Sequence, residues 1–177
     1  MKKSWILAWV LGVTQVGIAP AQIAVVRGEI ESIPELHQVT EGVYRGGRPE
    51  RRGLQQLKRM GVRTIINLED DRRATTSERA DAASLGMDWY GSPMNAGRTP
   101  KDHQIDEILG MLQDPSLQPV FIHCKHGQDR TGLVMGLYRV EVQHWDAAKA
   151  YQEMLDDGFH PQYQALDQYF RDRTGFR

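Results

Sequence analysis

The chain has 177 residues, 40% of them hydrophobic and 25% charged, with a formal net charge of −1. That length supports one compact domain with a real core, and the composition excludes a disordered chain. The near-neutral balance gives no reason to expect a nucleic-acid partner, so any anion site must come from local geometry.

Taken in chain order, Lys2 and Lys3 precede an apolar stretch from Trp5 to Ile18, and Ala19-Pro20-Ala21 follows. This is the pattern of a bacterial signal peptide, residues 1–21, cleaved after Ala21. It predicts a periplasmic or secreted protein. An uncleaved anchor is the alternative, but the apolar run is short and is interrupted by Gly12, Thr14, Gln15 and Gly17. No stable membrane anchor is therefore expected after processing. Residues 22–38 show no clear period and read as an N-terminal arm. Residues 39–177 read as the domain.

Val39 to Tyr44 predicts a short strand or hairpin, ending at Arg45-Gly46-Gly47-Arg48-Pro49. Pro49 suits the first turn of a helix, with Leu54, Leu57 and Met60 as its apolar stripe and Gly61 as its stop. Val62 to Leu68 is a strong strand pattern. A charged loop, Glu69 to Arg73, leads to a helix from Ser77 to Leu85 that Gly86 ends. Met87 to Met94 reads as another strand. Thr99, Pro100 and Asp102 predict a capped helix start, and Ile105, Ile108, Leu109 and Leu112 its buried face. Val120-Phe121-Ile122 is a short buried strand. A helix follows from about Thr131, then two more, Asp146 to Leu155 and Gln162 to Arg171. The alternation implies an α/β fold: a central, mostly parallel sheet of four to five strands flanked by helices.

The chemistry concentrates in His123-Cys124-Lys125-His126-Gly127-Gln128-Asp129-Arg130-Thr131-Gly132, which holds the chain's one cysteine. One cysteine cannot form an internal disulfide, which in an exported protein favours a reactive role over a structural one. A loop that enters a helix N-terminus can neutralise a phosphate with backbone N–H groups and the helix dipole. Lys125 to Arg130 can wrap their amides around three phosphate oxygens, and Gly127 allows the turn this requires. Arg130 can bind two oxygens with its planar fork. The same field stabilises a thiolate. Cys124 is therefore the expected nucleophile, giving a cysteinyl-phosphate that water hydrolyses. His123 is expected to orient the loop, Thr131 to donate its hydroxyl to the sulfur, and Gln128 to face the pocket edge. No metal or cofactor is expected, because Arg130 and the amides hold the charge.

The His-Cys-x5-Arg-Thr pattern resembles the signature of the cysteine-dependent protein tyrosine phosphatase superfamily. Tyr44-Arg45-Gly46-Gly47-Arg48-Pro49 and Gly61-Val62-Arg63-Thr64-Ile65-Ile66-Asn67-Leu68 resemble its compact dual-specificity-like members, including the atypical plant and fungal group and bacterial relatives. The resemblance spans about Val39 to Phe170. It implies a protein tyrosine phosphatase-like fold, Cys124 as nucleophile and Arg130 as phosphate binder.

One feature departs from that pattern. The superfamily usually carries an acidic proton donor about thirty residues before the cysteine, where this chain has Ser92-Pro93-Met94-Asn95-Ala96-Gly97. Asp129, inside the loop, is the favoured replacement, because some members with an Asp-Arg-Thr ending are thought to use it. Asp102 and Asp88 are the alternatives. Lys125 and His126, with Arg45, Arg48 and Arg98 as a wider rim, favour a polyanionic ligand such as an inositol polyphosphate. A phosphotyrosine protein is the close alternative partner, with Tyr90 or Phe159 as a possible pocket wall, though both suit the core better. Three other readings carry less. A zinc site from His123, Cys124 and His126 would need adjacent residues of a tight loop to converge on one metal. The five-residue spacing suits phosphate better than a sulfurtransferase loop. A non-catalytic phosphate-binding module would not need both Cys124 and Arg130.

Overall fold

The computed structural model describes residues 33–177. The expected signal segment and residues 22–32 of the expected arm lie outside the described residues. Strands β1 (His37–Thr40) and β2 (Val43–Gly46) form an antiparallel hairpin. Helix α1 (Arg51–Arg59) leads to β3 (Thr64–Asn67), α2 (Arg72–Ser84) and β4 (Asp88–Gly91). Helix α3 (Asp102–Gln113) leads to β5 (Val120–His123) and α4 (Asp129–Leu137). A π-helical segment (Tyr138–Val142), α5 (Ala147–Asp156) and α6 (Gln164–Thr174) complete the chain.

The sheet has five strands in the order β1-β2-β5-β3-β4, and every pairing except the hairpin is parallel. The α/β fold read from the sequence is thus the fold observed. Alternation along the strands sends side chains into two cores. Ile65 and Phe121 pack with Leu54, Leu57 and Ala82 of α1 and α2. Ile66, Val120 and Ile122 pack with Ile105, Leu112, Leu133 and Phe170 of α3, α4 and α6. Residues 33–38, from the segment read as an arm, are part of this body. Ile33 is buried beside Leu54, the Pro34 carbonyl accepts from Gly47 N at 2.7 Å, and β1 starts at His37.

Local departures have local causes. Helix α2 begins a turn earlier than the apolar pattern suggests, because the Asp71 carboxylate accepts from Arg73 N and Ala74 N at 3.0 and 3.2 Å. Thr99 does not cap α3. The chain stays extended through Lys101, and Asp102 is the first helical residue. Met60, expected in the apolar stripe of α1, is exposed past the helix end. Tyr90 is exposed on β4, while Phe159 is buried.

The central strand β5 sits between β2 and β3, where the strand order changes direction. In open parallel sheets, ligands bind outside the carboxyl ends of strands at such a point. His123 lies level with Gly46 on one side and Asn67 on the other. The residues that follow it, Cys124 to Gln128, form the loop into α4.

Candidate active site

The cysteine loop is held by its backbone. Gly127 has φ +81°, and a Cβ there would lie 2.5 Å from the Gly46 carbonyl carbon and 2.6 Å from Gly47 N. Only glycine permits that fold-back against the end of β2. Arg48 N donates to the Lys125 carbonyl at 3.2 Å. Arg45 Nη2 donates to the Gly127 carbonyl at 2.7 Å, and its Nη1 pairs with Asp157 after α5. Arg45 is buried, and that burial lowers its pKa while the Asp157 carboxylate opposes the shift. It is therefore a clamp on the loop and not part of a positive rim. Arg48 is also committed: Glu69 receives its Nε and Nη2, and that hydrogen bonding raises the guanidinium pKa. Arg98 is exposed, as are Lys125 and His126 within the loop.

Cys124 is buried at the base of the loop and free. Thr131 is buried beyond it on α4, but its Oγ1 has no hydrogen-bond partner, so the expected bond to the sulfur is not formed here. Gln128 packs its side-chain amide where a Cβ on Gly158 would lie, 2.8 Å away. Arg130 Nη1 is fully committed. It donates to Asp70 Oδ1 and the Met94 carbonyl at 3.1 Å each, and to the Leu68 carbonyl at 3.5 Å. Its Nε and Nη2 have no protein partner among the described residues, which leaves one edge of the fork for an anion.

The acid candidates are separated by the fold. Asp129 is the first residue of α4 and nearly buried; its Oδ1 accepts from His160 N at 3.0 Å and from His160 Nδ1 at 2.9 Å. Asp102 faces α6 instead. It accepts from Tyr169 Oη at 2.8 Å and lies 3.9 Å from Arg173 Nη1, with no contact to the cysteine loop. Burial and that carboxylate push the Tyr169 hydroxyl up to about 12. Asp88 pairs level with Thr64, which itself pairs with Val120. It therefore sits at the amino end of the sheet, about 10 Å of strand from the loop. Asn95, from the segment that lacks an aspartate, donates to Asp70 Oδ2 at 2.9 Å.

Beneath the loop lies a buried polar network that the sequence did not signal. His123 stacks on Phe121, and its ring nitrogens face the Cys124 carbonyl at 3.2 Å and Glu78 Oε1 at 3.0 Å. Glu78 Oε1 also accepts from Asn67 Nδ2 at 2.9 Å and Trp89 Nε1 at 2.8 Å. Burial pushes the Glu78 carboxyl up, but the His123, Trp89 and Asn67 contacts outweigh it and hold the pKa below its ordinary value. Glu69, Glu78 and His123 bring three ligand-type atoms within 4.8 Å of one another. Arg48 takes both oxygens of Glu69, and His123 takes Oε1 of Glu78, so these groups serve each other. Asp70, Glu78, Asp157 and His160 are the site residues that sequence reasoning missed. None stands near the cysteine in the chain, and only partner geometry identifies them.

The family model described as DSP-PTPase phosphatase fused to NAD+ Kinase matches residues 20–170. The chain belongs to this DSP-PTPase family. It is a dual-specificity-like member of the cysteine-dependent protein tyrosine phosphatase superfamily. The dual specificity protein phosphatase TpbA of Pseudomonas aeruginosa strain PAO1 is 34% identical over 126 residues, 70% of this chain and 55% of TpbA. The inositol diphosphatase DSP5 of Arabidopsis thaliana is 30% identical over 126 residues, 68% of this chain and 60% of DSP5. The chain thus spans little more than half the length of these curated relatives. The crystal structure of P. aeruginosa TpbA superposes with a TM-score of 0.67 at 28% identity, covering 78% of this chain and 84% of that one.

Two expectations follow for this DSP-PTPase chain. Gly127→Ala should cost on the order of 1–2 kcal/mol for a left-handed alanine alone. It should also weaken binding of tungstate, an inert phosphate mimic, by at least about tenfold. Thermal unfolding and calorimetric titration read both, and unchanged tungstate affinity would contradict the cradle. Glu78 has a depressed folded-state pKa, so its contribution to stability is complete above its unfolded value, about 4.5. That contribution is lost as the pH falls through the lower folded-state value. Glu78→Gln should therefore lower stability at neutral pH by about 2 kcal/mol. The gap from wild type should narrow below about pH 4.5 in denaturant titrations.

Proposed function

We propose that this chain hydrolyses phosphate monoesters by way of a cysteinyl-phosphate. The observation that carries the proposal is the loop after β5. Cys124 lies at its base, and Arg130 on α4 keeps one fork edge free for an anion. In the first step the Cys124 thiolate attacks phosphorus, an S–P bond forms and the ester P–O bond breaks. The leaving oxygen takes a proton from Asp129. In the second step water attacks phosphorus, the S–P bond breaks and Asp129 takes the proton from the water. Inorganic phosphate leaves and the thiolate is restored. Arg130 and the loop amides offset the charge that develops on the phosphoryl oxygens. Asp129 is preferred to Asp102 as the acid because it is part of the loop, whereas Asp102 is held by α6.

The substrate we favour is an inositol polyphosphate or another polyanion. Lys125 and His126 support this, since both are exposed within the phosphate loop. The inositol diphosphatase relatives support it as well. A phosphotyrosine protein is the second reading. It is favoured by the similarity to TpbA, a structure of which holds phosphotyrosine. A groove of about 660 Å³ beside Asp70, lined in part by Trp89 and Tyr90, also suits it. Phosphate release from phytate, phosphoinositides, phosphotyrosyl peptides and an aryl phosphate tests the choice. Cys124→Ser should abolish turnover. Lys125→Ala should raise KM more for inositol polyphosphates than for the aryl phosphate, and equal effects would remove the polyanion argument.

We also infer export, supported by Lys2, Lys3, the apolar run and Ala19-Pro20-Ala21. Cell fractionation with N-terminal sequencing should find a periplasmic protein beginning at Gln22. A cytoplasmic protein that retains Met1 would contradict it.

A further inference from the structure

The acid role of Asp129 raises the question of what holds its carboxylate in place. The N-terminus of α4 does not: its N-cap, Gln128, makes no side-chain cap, and Asp129 does not fold back onto its own helix. Both donors to Asp129 come from a single residue on the other side of the loop, between α5 and α6. His160 sends its backbone N and its ring Nδ1 to the same oxygen, Oδ1. Oδ2 has no partner among the described residues. A carboxylate with one oxygen doubly bound and the other free has one place left to carry a proton.

The segment that bears His160 is anchored on both sides. Gly158, at φ +84°, brings the chain against the Gln128 side chain more closely than any Cβ would allow. Phe159 plugs into the core, edge-on to Tyr151, and a Cβ on Gly132 would lie 3.6 Å from its ring. His160 follows directly, with its ring half exposed and edge-on to Tyr163 at 6.3 Å. The backbone donor is thus fixed by packing. The ring donor requires a hydrogen on Nδ1, which the carboxylate acceptor selects. Nothing in the catalytic scheme above uses His160 directly.

We propose that His160 is the positioning residue for the proton donor, clamping Asp129 Oδ1 so that Oδ2 delivers the proton to the leaving group. The proposal rests on the reading of Asp129 as the acid. It predicts that losing the ring affects the step that needs a proton and spares the phosphate loop itself.

The experiment is a leaving-group series of phosphate esters, from a nitrophenyl phosphate to phenyl and alkyl phosphates, assayed by phosphate release. His160→Ala should lower kcat at least tenfold for the alkyl ester, with less than a threefold change for the nitrophenyl ester and little change in KM. His160→Asn places an amide N–H near the position of Nδ1 and should recover most of the loss. His160→Gln, whose amide reaches further, should not. The double variant His160→Ala/Asp129→Asn should lose no more than Asp129→Asn alone. Equal losses across the series in His160→Ala, with Asp129→Asn still selective for poor leaving groups, overturn the His160 proposal and leave the acid reading standing. Equal losses across the series in Asp129→Asn overturn both.

Discussion

The site depends on one close backbone contact, the fold-back of Gly127 against Gly46 and Gly47 at the carboxyl end of β2. A parallel sheet delivers its central strand to a point flanked by two neighbours, and here the neighbours end level with His123. The loop must turn within this space while keeping its amides free to face an anion. Glycine makes that turn without strain, and Arg45 fixes it by bonding the Gly127 carbonyl from below. The loop is thereby tied to the hairpin on one side and, through Asp157, to the end of α5 on the other.

Charge in this region is arranged in compensated sets around the loop. Arg45 is matched by Asp157, Arg48 by Glu69, Glu78 by its His123, Asn67 and Trp89 donors, and Arg130 Nη1 by Asp70. A buried charge without such a partner would cost several kcal/mol, on the order of 3–5. The matching has a functional side. Arg130 spends one nitrogen on structure, so its plane is set before any ligand arrives, and little rotamer entropy remains to be lost on binding. Lys125, within the loop, and Arg98 are exposed cations without a carboxylate partner among the described residues.

The sheet, its mainly parallel order and the loop were legible in the sequence because each had a local signal. The apolar run Val120 to Ile122, the single cysteine and the five-residue spacing to Arg130 all fall within a few positions of one another. Helix starts were less legible. Thr99-Pro100 looked like a cap, but the backbone stays extended to Lys101, while Asp71, a capping residue in an apparent charged loop, opens α2. Arg45 reads as a rim cation from its motif, which does not reveal that the side chain is buried. Glu78 and His160 were hidden for another reason: each acts across the fold, 45 positions from His123 and 31 from Asp129. No periodicity links such pairs.

A proton donor at the first position of α4 differs physically from one on a separate loop. A loop-borne acid has to be brought up to the leaving group by a segment that moves. In the proposed mechanism Asp129 shares its backbone with the cysteine loop, so donor and nucleophile keep a fixed separation. The remaining freedom is rotation about the Asp129 side-chain bonds, and the donors to Oδ1 come from beyond α5. The packing of α5 and α6 against α4, through Phe159, Tyr151 and Phe170, therefore reaches into the orientation of the carboxyl group. In the proposed mechanism the segment from Ser92 to Gly97 carries no acid. Asn95 and the Met94 carbonyl hold Asp70 and Arg130 instead, so in that mechanism the segment fixes the guanidinium while the α5–α6 connection fixes the carboxyl group.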